Sequence, residues 1–126
     1  MKRVKDMVAE ANAMIETIPT ADAIALLGDP DVTFVDIRDV RELQREGKVP
    51  GAFHAPRGML EFWIDPESPY AKAEFLSGKR LVFYCASAWR SALATRTAQE
   101  MGLERVAHVE GGFAAWRKAG GAVEEG

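Results

Sequence analysis

The sequence predicts an α/β domain on a mainly parallel sheet with helices on both faces, preceded by an N-terminal amphipathic helix. Continuous apolar runs such as Leu81 to Cys85 have the composition of strands buried on both faces. Such runs alternate with segments of helical periodicity, which favours right-handed crossovers within one sheet. At 126 residues, 48% of them hydrophobic and 28% charged, the chain has room for one core and the balance of a globular protein.

The elements follow in order. Val4, Met7, Val8, Ala11, Met14 and Ile15 recur on one helical face opposite Lys5, Asp6 and Glu10, which predicts a helix docked on the domain's own core. Thr20 has the character of an N-cap, and Gly28 of a stop, for a short helix carrying Ile24, Leu26 and Leu27. After the turn Asp29-Pro30-Asp31, Val32 to Val35 reads as a buried strand ending at Asp36. Asp39 and Glu42 have capping-box spacing and open a helix that Gly47 closes. Pro50-Gly51 turns the chain into a minor strand at Ala52-Phe53.

Pro66 and Pro69 interrupt the aromatic-rich stretch Arg57 to Phe75, predicting one or two short helices with an irregular joint between Asp65 and Pro69. Leu81 to Cys85 is the central strand, and Leu93, Ala94, Thr97, Ala98 and Met101 line the helix after it, which ends at Gly102. Val106 to Val109 is a further strand, Gly111-Gly112 breaks it, and Phe113 to Lys118 forms the last helix. Residues 1–17 are expected to be a helical extension and 18–126 the main domain.

The net charge of -3, with no basic cluster beyond the first residues, argues against a nucleic-acid partner. No apolar run approaches the roughly 20 residues that span a bilayer, so no membrane segment is expected. Lys5, Asp6 and Glu10 interrupt any signal-peptide core, and the one cysteine can form no internal disulfide, so the expected location is cytoplasmic with an uncleaved start. His54 and His108 lack neighbours at ligand spacing, so neither a metal nor a cofactor is expected. Phe62, Trp63 and Tyr70 are core candidates, with a pocket wall as the alternative, and Trp116 reads as core.

Cys85 ends the central strand, and Ala86-Ser87-Ala88-Trp89 leads to Arg90 and Ser91 at the start of a helix. Ligands of open α/β sheets bind at the carboxyl ends of strands, where a helix N-terminus offers unpaired amides. Small residues let such a loop curl into an anion-binding nest. A sulfur inside it is favoured as thiolate, a nucleophile, by the dipole and a nearby guanidinium. Arg90 has two possible roles, contact with an anionic substrate or a brace for the loop. The bland alternative for Cys85 is a buried small hydrophobe.

Four ordered motifs add to this reading: Val35-Asp36-Ile37-Arg38, Glu46-Gly47-Lys48-Val49-Pro50-Gly51-Ala52, Cys85 to Ser91, and Glu110-Gly111-Gly112-Phe113-Ala114-Ala115-Trp116. Together they resemble the rhodanese homology domain over roughly Pro19 to Gly121. The resemblance implies a rhodanese-like sheet of about five strands. It implies a sulfurtransferase that moves sulfane sulfur from thiosulfate or a persulfide donor to a thiol or cyanide. In that role Cys85 is the nucleophile that becomes a persulfide, and Ala86, Ser87, Ala88, Trp89, Arg90 and Ser91 bind substrate through their amides. Asp36 and Arg38 match a supporting Asp-x-Arg pair expected to be structural. The implied partners are a small-molecule sulfur donor and a thiol acceptor, with a protein acceptor as a further candidate; the oligomeric state stays open.

Two positions depart from the family, which often has glycine at Ala88 and histidine at Lys48. Alanine tolerates positive φ less well, so a reshaped cradle is expected. With Trp89 beside the sulfur and no second cation beside Arg90, a persulfide suits the loop better than the dianion thiosulfate. The rival readings are a non-catalytic rhodanese-like binding or regulatory module and a phosphatase or arsenate reductase. Related cell-cycle phosphatases have one more residue between cysteine and arginine than this chain, and the loop here holds no Asp or Glu to act as general acid.

Overall fold

The run Arg80–Tyr84 occupies the middle of the sheet because it is apolar on both sides: Leu81 and Phe83 point to one face with the adjoining Cys85, and Val82 and Tyr84 to the other. The computed structural model describes residues 1–126. In chain order the elements are α1 (Val4–Met14), β1 (Glu16–Ile18), α2 (Thr20–Ala25), β2 (Val32–Asp36), α3 (Val40–Glu46) and β3 (Phe53–His54). A 3-10 turn at Arg57–Met59 enters α4 (Leu60–Ile64), and a second at Ala73–Leu76 precedes β4 (Arg80–Tyr84), α5 (Trp89–Glu100), β5 (Val106–Val109) and α6 (Gly112–Lys118).

The five strands lie in the order β1-β5-β4-β2-β3, and every pair is parallel. Register pairs Asp36 with Tyr84 and Phe83 with His108, so the carboxyl ends of the central strands gather at one edge, beside Cys85. On one face Val35, Leu81, Phe83 and Val106 meet Leu60 and Ile64 of α4 and Ala94 and Ala98 of α5. On the other, Phe34, Val82, Tyr84 and Ala107 meet Ala23 of α2 and Phe113 and Trp116 of α6. A fully buried side chain such as Phe83 contributes on the order of 2–3 kcal/mol from its removal from water. No helix is long and apolar enough to cross a membrane.

α1 forms an outer layer, with Val8 and Ala11 buried against Ala92 of α5. Its buried stripe is narrower than the periodicity predicts. Ile15 is partly buried, but Val4, Met7 and Met14 stay exposed, because the apolar face of α1 packs on one helix, α5, rather than across a sheet face. β1 has no counterpart in the sequence reading: it is three residues long, only Ile18 is buried, and it follows α1 after one residue. It spans residues 16–18, across the expected junction of extension and domain.

Two further expectations are corrected. Thr20 does not cap α2 but is its first residue, after Pro19; its hydroxyl donates instead to the Glu110 carbonyl at 3.0 Å, tying α2 to the end of β5. Phe62 and Tyr70 lie on the surface, because the short α4 and the turns after it bury only one side. Trp63 packs partly buried on Phe53, with ring centres 5.9 Å apart. The capping box of α3 forms between Asp39 and Glu42 as its spacing predicts.

Past α6 the chain returns to α3, where Lys48 and Glu124 exchange backbone hydrogen bonds of 2.8 and 2.9 Å in an antiparallel bridge. Gly47 makes this approach possible. Its φ is 81° and its ψ -174°, a region reserved for glycine, and a Cβ there would lie 2.6 Å from Val123 Cγ1 and 2.8 Å from the Glu124 carbonyl oxygen. Gly47→Ala is expected to lower unfolding stability by about 2–4 kcal/mol in urea titrations, because neither the dihedral nor the contact can relax cheaply. Adding Val123→Ala to Gly47→Ala, which removes the side-chain clash but leaves the dihedral and the Glu124 carbonyl contact, should recover only part of that loss.

Candidate active site

Cys85 follows directly on β4, and three small residues separate it from α5. The turn closes because Ala88 takes a left-handed conformation (φ 82°), the only non-glycine residue of the chain with positive φ. That costs an alanine about 1–2 kcal/mol. In return the chain wraps the sulfur: the amides of Ala88 and Ser91 donate to Cys85 Sγ at 3.2 and 3.3 Å. Cys85 itself is 1% exposed, so it forms the floor of the loop, whereas Ser87, Trp89 and Arg90 are open to solvent.

Gly111 and Gly112 back the loop from behind. Both have positive φ, which turns the N-terminus of α6 so that Phe113 N–H donates to the Cys85 carbonyl at 2.8 Å and Ala114 N–H to the Ala86 carbonyl at 3.1 Å. A Cβ on Gly112 would sit 2.6 Å from the Cys85 oxygen, so only glycine allows the approach.

Beneath the loop, Arg38 and Asp36 are both fully buried. Arg38 Nη2 donates to Asp36 Oδ2 at 2.8 Å and to the Gly47 carbonyl at 2.8 Å, and Nε donates to Asp36 Oδ1 at 3.0 Å. The guanidinium lies over Phe113, 4.4 Å from the ring centre. Burial is the strongest single influence and works against its charge, but the hydrogen bond to Asp36 and the charges of Asp36 and its other neighbours together outweigh it and raise its pKa. Arg38 Nη1 has only a loose contact, 3.5 Å from Glu46 Oε2, and makes no hydrogen bond. The pair joins the end of β2 to Gly47, and His54 Nε2, 2.7 Å from the Arg38 carbonyl, adds a third tie.

Arg90 Nη1 and Nη2 donate to Glu42 Oε2 and Oε1, each at 2.9 Å. Of the two roles open from the sequence, this geometry is that of a brace between the loop and α3. The Arg90 hydrogen bonds, with the capping contact from the Asp39 amide, pull the Glu42 carboxyl from 4.5 down to about 2. Trp89 is 51% exposed and borders a groove with Met1 to Lys5.

The rhodanese-like domain pattern matches residues 20–119. The chain belongs to the rhodanese-like domain family. Among solved structures, a Rhodopseudomonas palustris protein of unknown function, named a possible tyrosine phosphatase, is 62% identical, with a TM-score of 0.96 over 98% of this chain and 96% of that one. The polysulfide-sulfur transferase homodimer of Wolinella succinogenes is 32% identical, with a TM-score of 0.71 over 95% of this chain and 85% of that one.

Mouse thiosulfate sulfurtransferase/rhodanese-like domain-containing protein 3 is 29% identical over 97 residues, which are 73% of this chain and 62% of that protein. A tRNA uridine(34) hydroxylase of Cronobacter sakazakii is 28% identical over 110 residues, 87% of this chain but 31% of that enzyme. The match thus spans less than two thirds of the length of these two relatives.

Of the residues expected to form the cradle, the amides of Ala88 and Ser91 reach the sulfur, and Ala88 holds the left-handed dihedral that glycine favours. Glu42 was visible in the sequence only as half of a capping box; its partner Arg90 is 48 residues away, and no local signal connects them.

Ala88→Gly is expected to raise the unfolding free energy by about 1 kcal/mol in urea titrations by relieving this strain. Glu42→Gln keeps the capping contact and removes the charge opposite Arg90. The folded carboxyl titrates below its ordinary value, so its stabilisation is complete above about pH 4.5 and is lost as pH falls through about 2. The native protein should therefore exceed Glu42→Gln by on the order of 1–2 kcal/mol at neutral pH, with the gap closing towards pH 2 in pH-dependent urea melts.

Proposed function

We propose that the protein is a sulfurtransferase that carries sulfane sulfur as a persulfide on Cys85. The observation supporting this most directly is the sulfur itself, held at the end of the central strand by the amides of Ala88 and Ser91, where further charge arriving on sulfur can be met by backbone donors. Family membership and the sulfurtransferases among its relatives point the same way.

In the first step the Cys85 thiolate attacks the outer sulfur of the donor. The new S–S bond forms as the donor's own bond to that sulfur breaks, and the leaving group departs with the bonding pair, as a thiolate from a persulfide or as sulfite from thiosulfate. In the second step an acceptor thiolate or cyanide attacks the terminal sulfur of the Cys85 persulfide. The Cys85 S–S bond breaks, and the thiolate returns with a net transfer of one sulfur atom. Cys85 is the chain's only cysteine, so the acceptor is supplied by another molecule.

The charge of Arg90 is met by Glu42, and the loop holds no second cation. A persulfide, which brings less negative charge than thiosulfate, therefore suits this cradle better. The same contact weakens a phosphatase reading, suggested by the name of the Rhodopseudomonas relative, because that chemistry needs the guanidinium on the phosphoryl oxygens and an acid for the leaving group.

Intact-mass spectrometry after brief incubation with glutathione persulfide should show a gain of one sulfur atom, smaller or slower with thiosulfate, absent in Cys85→Ser and reversed by cyanide. No gain with either donor, or equal gain in Cys85→Ser, sinks the carrier reading. Hydrolysis of p-nitrophenyl phosphate dependent on Cys85 would establish the phosphatase instead.

A further inference from the structure

His108 is a buried ionisable residue that the transfer steps leave unused. It sits in β5, 1% exposed, on the face towards α5. Its Nδ1 is 2.8 Å from Ser91 Oγ, and its Nε2 is 3.1 Å from both Asn12 Oδ1 and Thr17 Oγ1. Burial pushes its pKa down to about 4, so near neutral pH the ring has one N–H and one lone pair.

The partners decide which nitrogen holds the proton. Asn12 Oδ1 can only accept, so the nitrogen facing it, Nε2, is the one that donates. Nδ1 is then an acceptor, and the Ser91 hydroxyl donates to it. The Ser91 carbonyl accepts from Thr95 Oγ1 at 2.7 Å, and its amide donates to Cys85 Sγ. Every polar group of Ser91 is thereby committed.

We propose that Asn12 and Thr17 act through His108 as positioning residues for the sulfur: the N-terminal extension sets the imidazole tautomer, the tautomer fixes Ser91, and the fixed Ser91 amide holds Cys85. Both residues precede the stretch matched by the family pattern, residues 20–119. This gives α1 and β1 a part in the site beyond their packing on α5 and β5, and it rests on the reading of Cys85 as the reactive sulfur. Without an acceptor at Nε2 the ring proton is free to move to Nδ1. The Ser91 hydroxyl must then turn its own proton elsewhere, and the amide loses its fixed aim.

Asn12 and Thr17 are exposed, so replacing them leaves the core untouched. Two measurements test the proposal on the native protein, Asn12→Ala/Thr17→Val and Asn12→Asp/Thr17→Val: long-range 1H–15N spectra of the His108 ring, and the rate of Cys85 alkylation by iodoacetamide at neutral pH. The native ring should be Nε2-protonated. The Ala/Val variant should show Nδ1-H signal and alkylate more slowly, by about 3–10-fold, as the donor to the sulfur loosens. The Asp/Val variant, which restores an acceptor, should recover both.

An Nδ1-protonated native ring, an unchanged alkylation rate in the Ala/Val variant, or no recovery with aspartate overturns the proposal. Alkylation needs no sulfur donor. A protein that accepts no sulfur but shows the tautomer-linked change in reactivity therefore fails as a carrier while keeping this positioning chain, and one that accepts sulfur without that change does the reverse.

Discussion

The sulfur of Cys85 is held by the turn that joins the middle strand of the sheet to α5, and much of the surrounding structure keeps that turn shut. Two amides reach the sulfur only because Ala88 adopts a left-handed dihedral that an alanine resists. Such a conformation persists where its surroundings over-determine it. Here α6 grips the Cys85 and Ala86 carbonyls from behind, Glu42 of α3 grips Arg90 from the side, and His108 grips Ser91 from below. Strain of about 1–2 kcal/mol is thus set against several hydrogen bonds, each worth on the order of 1 kcal/mol.

Charge is distributed accordingly. Arg38 is sealed under the loop with Asp36, and Arg90 is tied to Glu42. Both guanidiniums are committed to carboxylates, and the backbone amides of Ala88 and Ser91 remain as the means of meeting charge at the sulfur. Amides set by secondary structure need little reorganisation to meet negative charge on the sulfur, as the proposed persulfide cycle would require. A free guanidinium would favour one charge state more strongly and hold an anion longer.

Much of this was legible in the sequence, for identifiable reasons. The strands β2, β4 and β5 announce themselves because burial on both faces demands unbroken apolar runs. The cysteine loop is legible because small residues, a strand end and a helix start are adjacent in the chain. β1 was not, since a three-residue edge strand with one buried side chain has no periodicity to show. The partners of the loop were not legible either. Glu42 reaches Arg90 across 48 residues and His108 reaches Ser91 across 17, while Asn12 reaches His108 across 96, and their types are ordinary for a cap, a strand and an exposed helix face. Side-chain contacts at such distances are set by topology, which a linear pattern does not encode.

The brevity of the outer strands has a consequence for how the molecule behaves in company. β1 offers three residues and β3 two at the borders of the sheet. A border strand with a long row of unpaired amides and carbonyls is a template on which another chain can pair, and that route leads to aggregation. Borders this short give an incoming strand very few hydrogen bonds. The architecture therefore protects a β-rich core from edge-to-edge growth without needing the charged or proline-bearing borders that longer strands require.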